Sequence, residues 1–157
     1  MGLVALGTAG YLALNAVVAG DPFHFLDIQR THWFKELAWP WDGINAVRGY
    51  VAWNAGLQAQ MVRVQELTFL ALGFAGAVAS WLVLRPSYAV WMTLNWLLFA
   101  SNTFVTSTPR YTLTLFPLFN IFAALARDRL WYSTLTAWSL LFLALFAGQF
   151  VLGRWAF

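Results

Sequence analysis

Five stretches of the chain carry no charged side chain: 1–20, 67–84, 86–109, 111–126 and 130–153. All fifteen Asp, Glu, Lys and Arg residues fall between or after them. A helix that crosses a hydrocarbon core of about 30 Å needs about 20 apolar residues. Cutting the chain at its charges therefore predicts five spans, at about 1–20, 67–84, 87–108, 110–126 and 130–153. The expected fold class is an all-α integral membrane protein with one membrane domain over 1–157. Charged residues are only 10% of the chain and apolar residues 61%, with a mean hydropathy of +0.65. A soluble domain carries about 25% charge, and disorder needs low hydrophobicity with high charge, so both classes are excluded.

The fourth span is the shortest. At about 1.5 Å per residue, 111–126 reaches about 24 Å, and Pro117 should kink it. Snorkelling of Arg127 or residues borrowed from Ser107–Arg110 would complete the crossing; the alternative is a re-entrant or buried partial helix. The first span has a second reading as a secretory signal, with Val17 and Ala19 as small residues near a cleavage site. It lacks the basic segment that such signals carry in front. Gly73-x-x-Gly76 and Ala75-x-x-x-Ala79 allow close helix packing in lipid.

Residues 21–66 hold nine of the fifteen charges and both histidines. A structureless loop of that length is uncommon, so helices are expected inside it. Asp21-Pro22 reads as a cap followed by proline at the first helical position. Phe23, Leu26, Ile28, Trp33 and Leu37 make a partly amphipathic run, with Lys35 and Glu36 on its polar side. Trp39-Pro40-Trp41 ends that helix. Asp42-Gly43 reads as a second cap, before Ile44, Val47, Val51, Leu57, Met61 and Val64 at near-helical spacing. Trp33, Phe34, Trp39, Trp41, Tyr50 and Trp53 suit the headgroup level, so the loop is expected to lie on the membrane surface as two interfacial helices. With five spans, this loop shares one side with Ser107–Arg110 and the C-terminus. Lys and Arg are divided too evenly for orientation to follow from charge.

Candidate chemistry is sparse. The chain has no cysteine, which removes thiolate metal sites and thiol nucleophiles. A net charge of +3 is too thin for a nucleic-acid footprint. His24, Asp27 and His32 have spacings that bring them near one helix face, but a metal site usually needs three or four ligands, so they read as polar interface residues, and no metal and no cofactor is expected. Asp21, Asp27, Glu36, Asp42 and Glu66 are the carboxylates available as a base, each also readable as a cap or a solvated charge. Arg110, in Ser107-Thr108-Pro109-Arg110-Tyr111 between two apolar spans, has two readings: a phosphate-binding guanidinium or a snorkelling helix end. No phosphate-binding loop, zinc-protease or nucleophile-elbow motif is present. The intraspan polar residues Asn15, Asn95, Asn102 and Gln149 fit interhelical hydrogen bonding better than a transport path.

Two blocks carry a resemblance. Gly20-Asp21-Pro22-Phe23-His24-Phe25, with Gln29, Trp33 and Pro40-Trp41, looks like a loop of the PIG-V-type mannosyltransferase family and its bacterial relatives. Ser107-Thr108-Pro109-Arg110-Tyr111, followed by Phe116-Pro117-Leu118-Phe119, is similar to that family's second signature, and Arg85-Pro86-Ser87-Tyr88-Ala89 fits between them. The resemblance covers about residues 10–130. It implies a GT-C membrane glycosyltransferase that uses a polyprenyl-phosphate sugar, such as a mannose donor. Arg110, Tyr111, Gln29 and Trp33 would line the donor site, on the extracytoplasmic or lumenal side of a bacterial inner membrane or the endoplasmic reticulum. Relatives are more than twice as long and carry a catalytic acid in an earlier loop with no counterpart here. The chain thus resembles the C-terminal half, expected to be inactive alone and completed by a second polypeptide or a missing segment. The competing expectation is a non-enzymatic multi-pass subunit or assembly partner.

Overall fold

The computed structural model describes residues 2–53 and 56–154, with the backbone alone at 50–53, 57 and 58. The side chains of Tyr50 and Trp53, expected at the headgroup level, lie outside the described residues. The described residues form helices α1 (Gly2–Ala19), α2 (His24–Trp33), α3 (Pro40–Trp53), α4 (Leu57–Val83), α5 (Pro86–Ala100), α6 (Thr108–Thr112), α7 (Pro117–Leu125) and α8 (Arg129–Val151). Among the described residues, α1, α4 (from Ala59) and α8 alone are long and apolar enough to cross a membrane.

Among the described residues three helices meet that requirement, fewer than the five spans expected, for two physical reasons. Charge was a poor boundary marker at the second span. α4 begins ten residues before the uncharged stretch and carries Arg63 and Glu66 within it, because both side chains are engaged by another segment. Absence of charge was also a poor marker of continuity at the third and fourth. The α5 helix stops at Ala100 although the uncharged stretch runs on. There the Asn102 amide donates to the carbonyls of Leu98 (3.1 Å) and Phe99 (3.3 Å), which is the competition with helix backbone that Ser, Asn and Thr offer. The expected 110–126 helix is two pieces, α6 and α7, separated by the turn ahead of Pro117. Trp91 partners that break: its indole N–H donates to the carbonyl of Thr114 at 3.2 Å.

The core sits around α4. Its Gly73 and Gly76 let neighbours approach: a Cβ on Gly73 would meet Trp96 at 2.9 Å and Leu115 at 3.2 Å, and one on Gly76 would meet Leu118 at 2.7 Å. Met92, Leu115, Leu118 and Ile121 fill the space beside Ala77. α5 packs antiparallel to α4, with the Trp96 indole donating to the Leu70 carbonyl at 3.0 Å. α6 and α7 run parallel to α4, since Glu66 meets Thr108, Phe69 meets Thr112 and Gly76 meets Leu118. α8 stands off from α4 across aromatic rings, with Phe69 set against Trp138, Phe142 and Phe146 at 5.1–6.2 Å between centroids. At the far end, Asp128 caps α8 by accepting from the backbone N–H of Leu130 and Trp131. α1 buries no residue and touches α2 through Tyr11 and Phe25, 5.7 Å apart.

Within the loop, helix boundaries move. α2 begins at His24, not Pro22, because the Asp21 carboxylate accepts from the Phe23 N–H at 2.8 Å and makes a turn first. It ends at Trp33, well before Trp39, because Phe34 adopts a left-handed backbone, φ 52°. Pro40 opens α3. Asp42 reaches back from its first turn to accept the Trp39 N–H at 3.2 Å, half of a capping box.

Candidate functional site

The two sequence blocks are brought together by backbone. Residues 34–38 lie along 101–103. Ala38 N–H donates to the Ser101 carbonyl at 3.2 Å, Thr103 N–H to the Glu36 carbonyl at 2.9 Å, and Leu37 and Asn102 form an isolated antiparallel bridge. The Thr103 hydroxyl donates to the Phe34 carbonyl (3.0 Å) and accepts from the Glu36 N–H (3.0 Å). Thr103 thereby locks the left-handed turn at Phe34, a conformation that costs roughly 1–2 kcal/mol for a residue with a Cβ. Gly43 at the head of α3 supplies the clearance: a Cβ there would strike the Asn102 carbonyl oxygen and Val105.

The second block is held from below by α4. Glu66 is buried, and its two carboxylate oxygens accept from the N–H of Ser107 and of Thr108, each at 2.7 Å. Ser107 is left-handed, φ 59°. One turn earlier Arg63 lies over the Phe104 ring, 4.5 Å from its centroid. The carboxylate thus takes up two backbone donors at the start of α6, which have no partner inside the helix. Glu66 had appeared as a span boundary and a candidate base. With both oxygens engaged, it acts as the anchor of the Ser107–Tyr111 segment. The available signal was a carboxylate directly beside the uncharged run 67–84.

Both anchored turns lead to one place. Lys35 Nζ lies 3.5 Å from the Tyr111 hydroxyl and 5.3 Å from its ring centroid, and the Arg110 guanidinium lies 5.8 Å from the same centroid. Phe99 stacks with Tyr111 at 6.1 Å, which fixes the ring carrying both cations. Among the described residues neither Lys35 nor Arg110 has a carboxylate partner; Glu36 is occupied by Arg30 at 2.9 Å. Two cations on one ring, free of acids, make an anion-attracting spot. Lys35 is the member that sequence reasoning missed, having been read only as the polar side of an amphipathic run.

Gln29 and Trp33 are exposed on α2. Among the described residues neither side chain makes a hydrogen bond, ion pair or ring contact. Gln29 enters only through its carbonyl, which accepts from the Lys35 N–H at 3.0 Å. His24, Asp27 and His32 do not converge, and no group able to hold a metal occurs among the described residues; His32 Nδ1 is 2.9 Å from the Thr31 hydroxyl.

No family model matches the chain, no curated protein matches it, and no solved structure matches it.

Proposed function

We propose that this membrane protein holds the phosphate of a polyprenyl-phosphate sugar donor, as the donor-binding part of a GT-C type glycosyltransferase of the mannosyltransferase kind. The observation that supports the reading is the meeting of Lys35 and Arg110 on Tyr111. These cations come from the two segments that carry the family resemblance. Guanidinium presents a planar fork that matches phosphate, and an ammonium adds a compact point charge.

In transfer, an acceptor hydroxyl loses its proton to a base and attacks the anomeric carbon, and the bond from that carbon to the lipid phosphate oxygen breaks. The phosphate leaves with a growing negative charge, which Arg110 and Lys35 stabilise as fixed electrostatic partners. Tyr111 orients both cations, and Gln29 and Trp33 border the donor from α2. The base is supplied from outside these residues, since Glu66 is committed to the loop it anchors.

The test is titration of the detergent-solubilised chain with polyprenyl phosphate, followed by tryptophan fluorescence. Arg110→Gln should weaken binding by about tenfold, the worth of one charge-assisted hydrogen bond, and Arg110→Lys should recover part of the loss. Equal binding of the uncharged polyprenol would sink the phosphate assignment and leave the non-enzymatic subunit as the better reading.

A further inference from the structure

A second site lies at the same end of the bundle, between the first turns of α4 and the end of α8. It is a cleft of about 520 Å³ lined by Met61, Ala144, Leu145, Gly148, Gln149, Leu152 and Arg154, within the size range of small-molecule and cofactor sites. Its walls are mostly apolar. Among the described residues its polar side chains are two, Gln149 and Arg154.

Gln149 is buried to 9% exposure on an apolar helix, and its Oε1 has no hydrogen-bond partner. A buried amide oxygen without a donor is costly, and such a group calls for a partner. Met61, Gln65 and Phe69 recur at four-residue intervals on α4, so Gln65 shares the stripe that runs from the cleft to the aromatic layer. Gln65 Oε1 is likewise buried and unpartnered.

Arg154 is placed by the way α8 ends. Gly153 is left-handed at φ 64°, its N–H donates to the Phe150 carbonyl at 3.0 Å, and the Arg154 N–H donates to the Gln149 carbonyl at 2.9 Å. This is a Schellman motif. It folds the backbone at Arg154 back onto the turn that carries Gln149, and both residues line the one cleft.

The geometry points to a binding site for an anionic phospholipid whose headgroup carries free hydroxyls. An acyl chain lies along Met61, Ala144, Leu145 and Leu152. A headgroup hydroxyl donates to Gln149 Oε1, and the phosphate pairs with Arg154. A hydroxyl-bearing anion satisfies both polar groups at once. A choline headgroup offers no donor to the amide oxygen. The site shares no residue with the Lys35–Arg110–Tyr111 cluster, so it stands or falls independently of the donor reading.

The test is native mass spectrometry of the full chain from micelles doped with phosphatidylglycerol or with phosphatidylcholine. Phosphatidylglycerol should be retained about tenfold better, the upper end of one hydroxyl-to-amide hydrogen bond's worth. Gln149→Leu and Arg154→Gln should each abolish that preference, and Arg85→Gln, the same charge change at the opposite end, should leave it intact. Gly148→Leu guards against misfolding as an explanation. A Cβ at Gly148 meets nothing within 4 Å and leucine is the better helix former, so this variant folds while filling the cleft. It should lose bound phosphatidylglycerol. Equal retention of the two lipids overturns the proposal, as does a Gly148→Leu chain that still binds phosphatidylglycerol. Competition by free glycerol 3-phosphate at the affinity of the whole lipid would overturn the lipid assignment in favour of a soluble phosphate.

Discussion

Glu66 on α4 spends both carboxylate oxygens on the backbone N–H groups of Ser107 and Thr108, each 2.7 Å away, with only 1% of the residue exposed. This one side chain ties a helix long enough to cross a membrane to the loop that presents Arg110. Its loss leaves two amides without partners. Glu66→Ala should therefore lower stability by about 2–6 kcal/mol, at about 1–3 kcal/mol for each of the two orphaned buried donors. Glu66→Gln, which keeps one acceptor, should lose roughly half as much. Thermal unfolding in detergent measures both, and an unchanged melting temperature for Glu66→Ala would refute the anchoring role.

Two glycines of α3 should respond to alanine with opposite signs. At Gly43 a Cβ would strike the Asn102 carbonyl oxygen and Val105 Cγ2, which is backbone on one side and core on the other. Gly43→Ala should cost about 1–3 kcal/mol, as overpacking does, and should loosen the 34–38 to 101–103 pairing, read as faster amide exchange at Thr103. At Gly49 a Cβ meets nothing within 4 Å. Gly49→Ala should stabilise by about 0.5–1 kcal/mol, from helix propensity alone.

Trp91 donates to the Thr114 carbonyl across the break between α6 and α7. Trp91→Phe keeps an aromatic ring and removes the donor. The carbonyl then faces hydrocarbon unpaired, at a cost of about 1–3 kcal/mol. The loss should be larger in bilayers than in detergent, where water reaches the break. Equal losses in the two media would mean that the carbonyl is hydrated in both.

Lys35 and Arg110 lean on one ring, so their contributions to anion binding should be coupled. Lys35→Gln and Arg110→Gln together should cost less than the sum of the single losses, by roughly 0.5–3 kcal/mol of interaction energy. Each single variant should also flatten the salt dependence of polyprenyl phosphate binding. Strict additivity in the double-mutant cycle would mean that the two cations do not serve one phosphate.

Apolar length alone was enough to identify α1, α4 and α8 as helices that suit a membrane, because a run of some twenty apolar residues has few other stable solutions. The break at Arg85 was equally legible, since a charge followed by proline interrupts an apolar helix locally. Arg110 was legible as a charge beside apolar segments. The boundaries drawn from charge failed where a distant segment changes what a charge costs. Glu66 sits inside α4 because Ser107 and Thr108, forty-odd positions away, supply its hydrogen bonds. The uncharged run 86–109 breaks at Ala100 because Asn102 and Thr103 find partners, Thr103 among residues 34–36. Lys35 could not be singled out either: its chain neighbours say only that it is polar, and Tyr111 is far along the sequence. Local patterning sets which segments are helical and apolar. Which polar groups meet is set by long-range hydrogen bonds, and these join residues whose spacing carries no period.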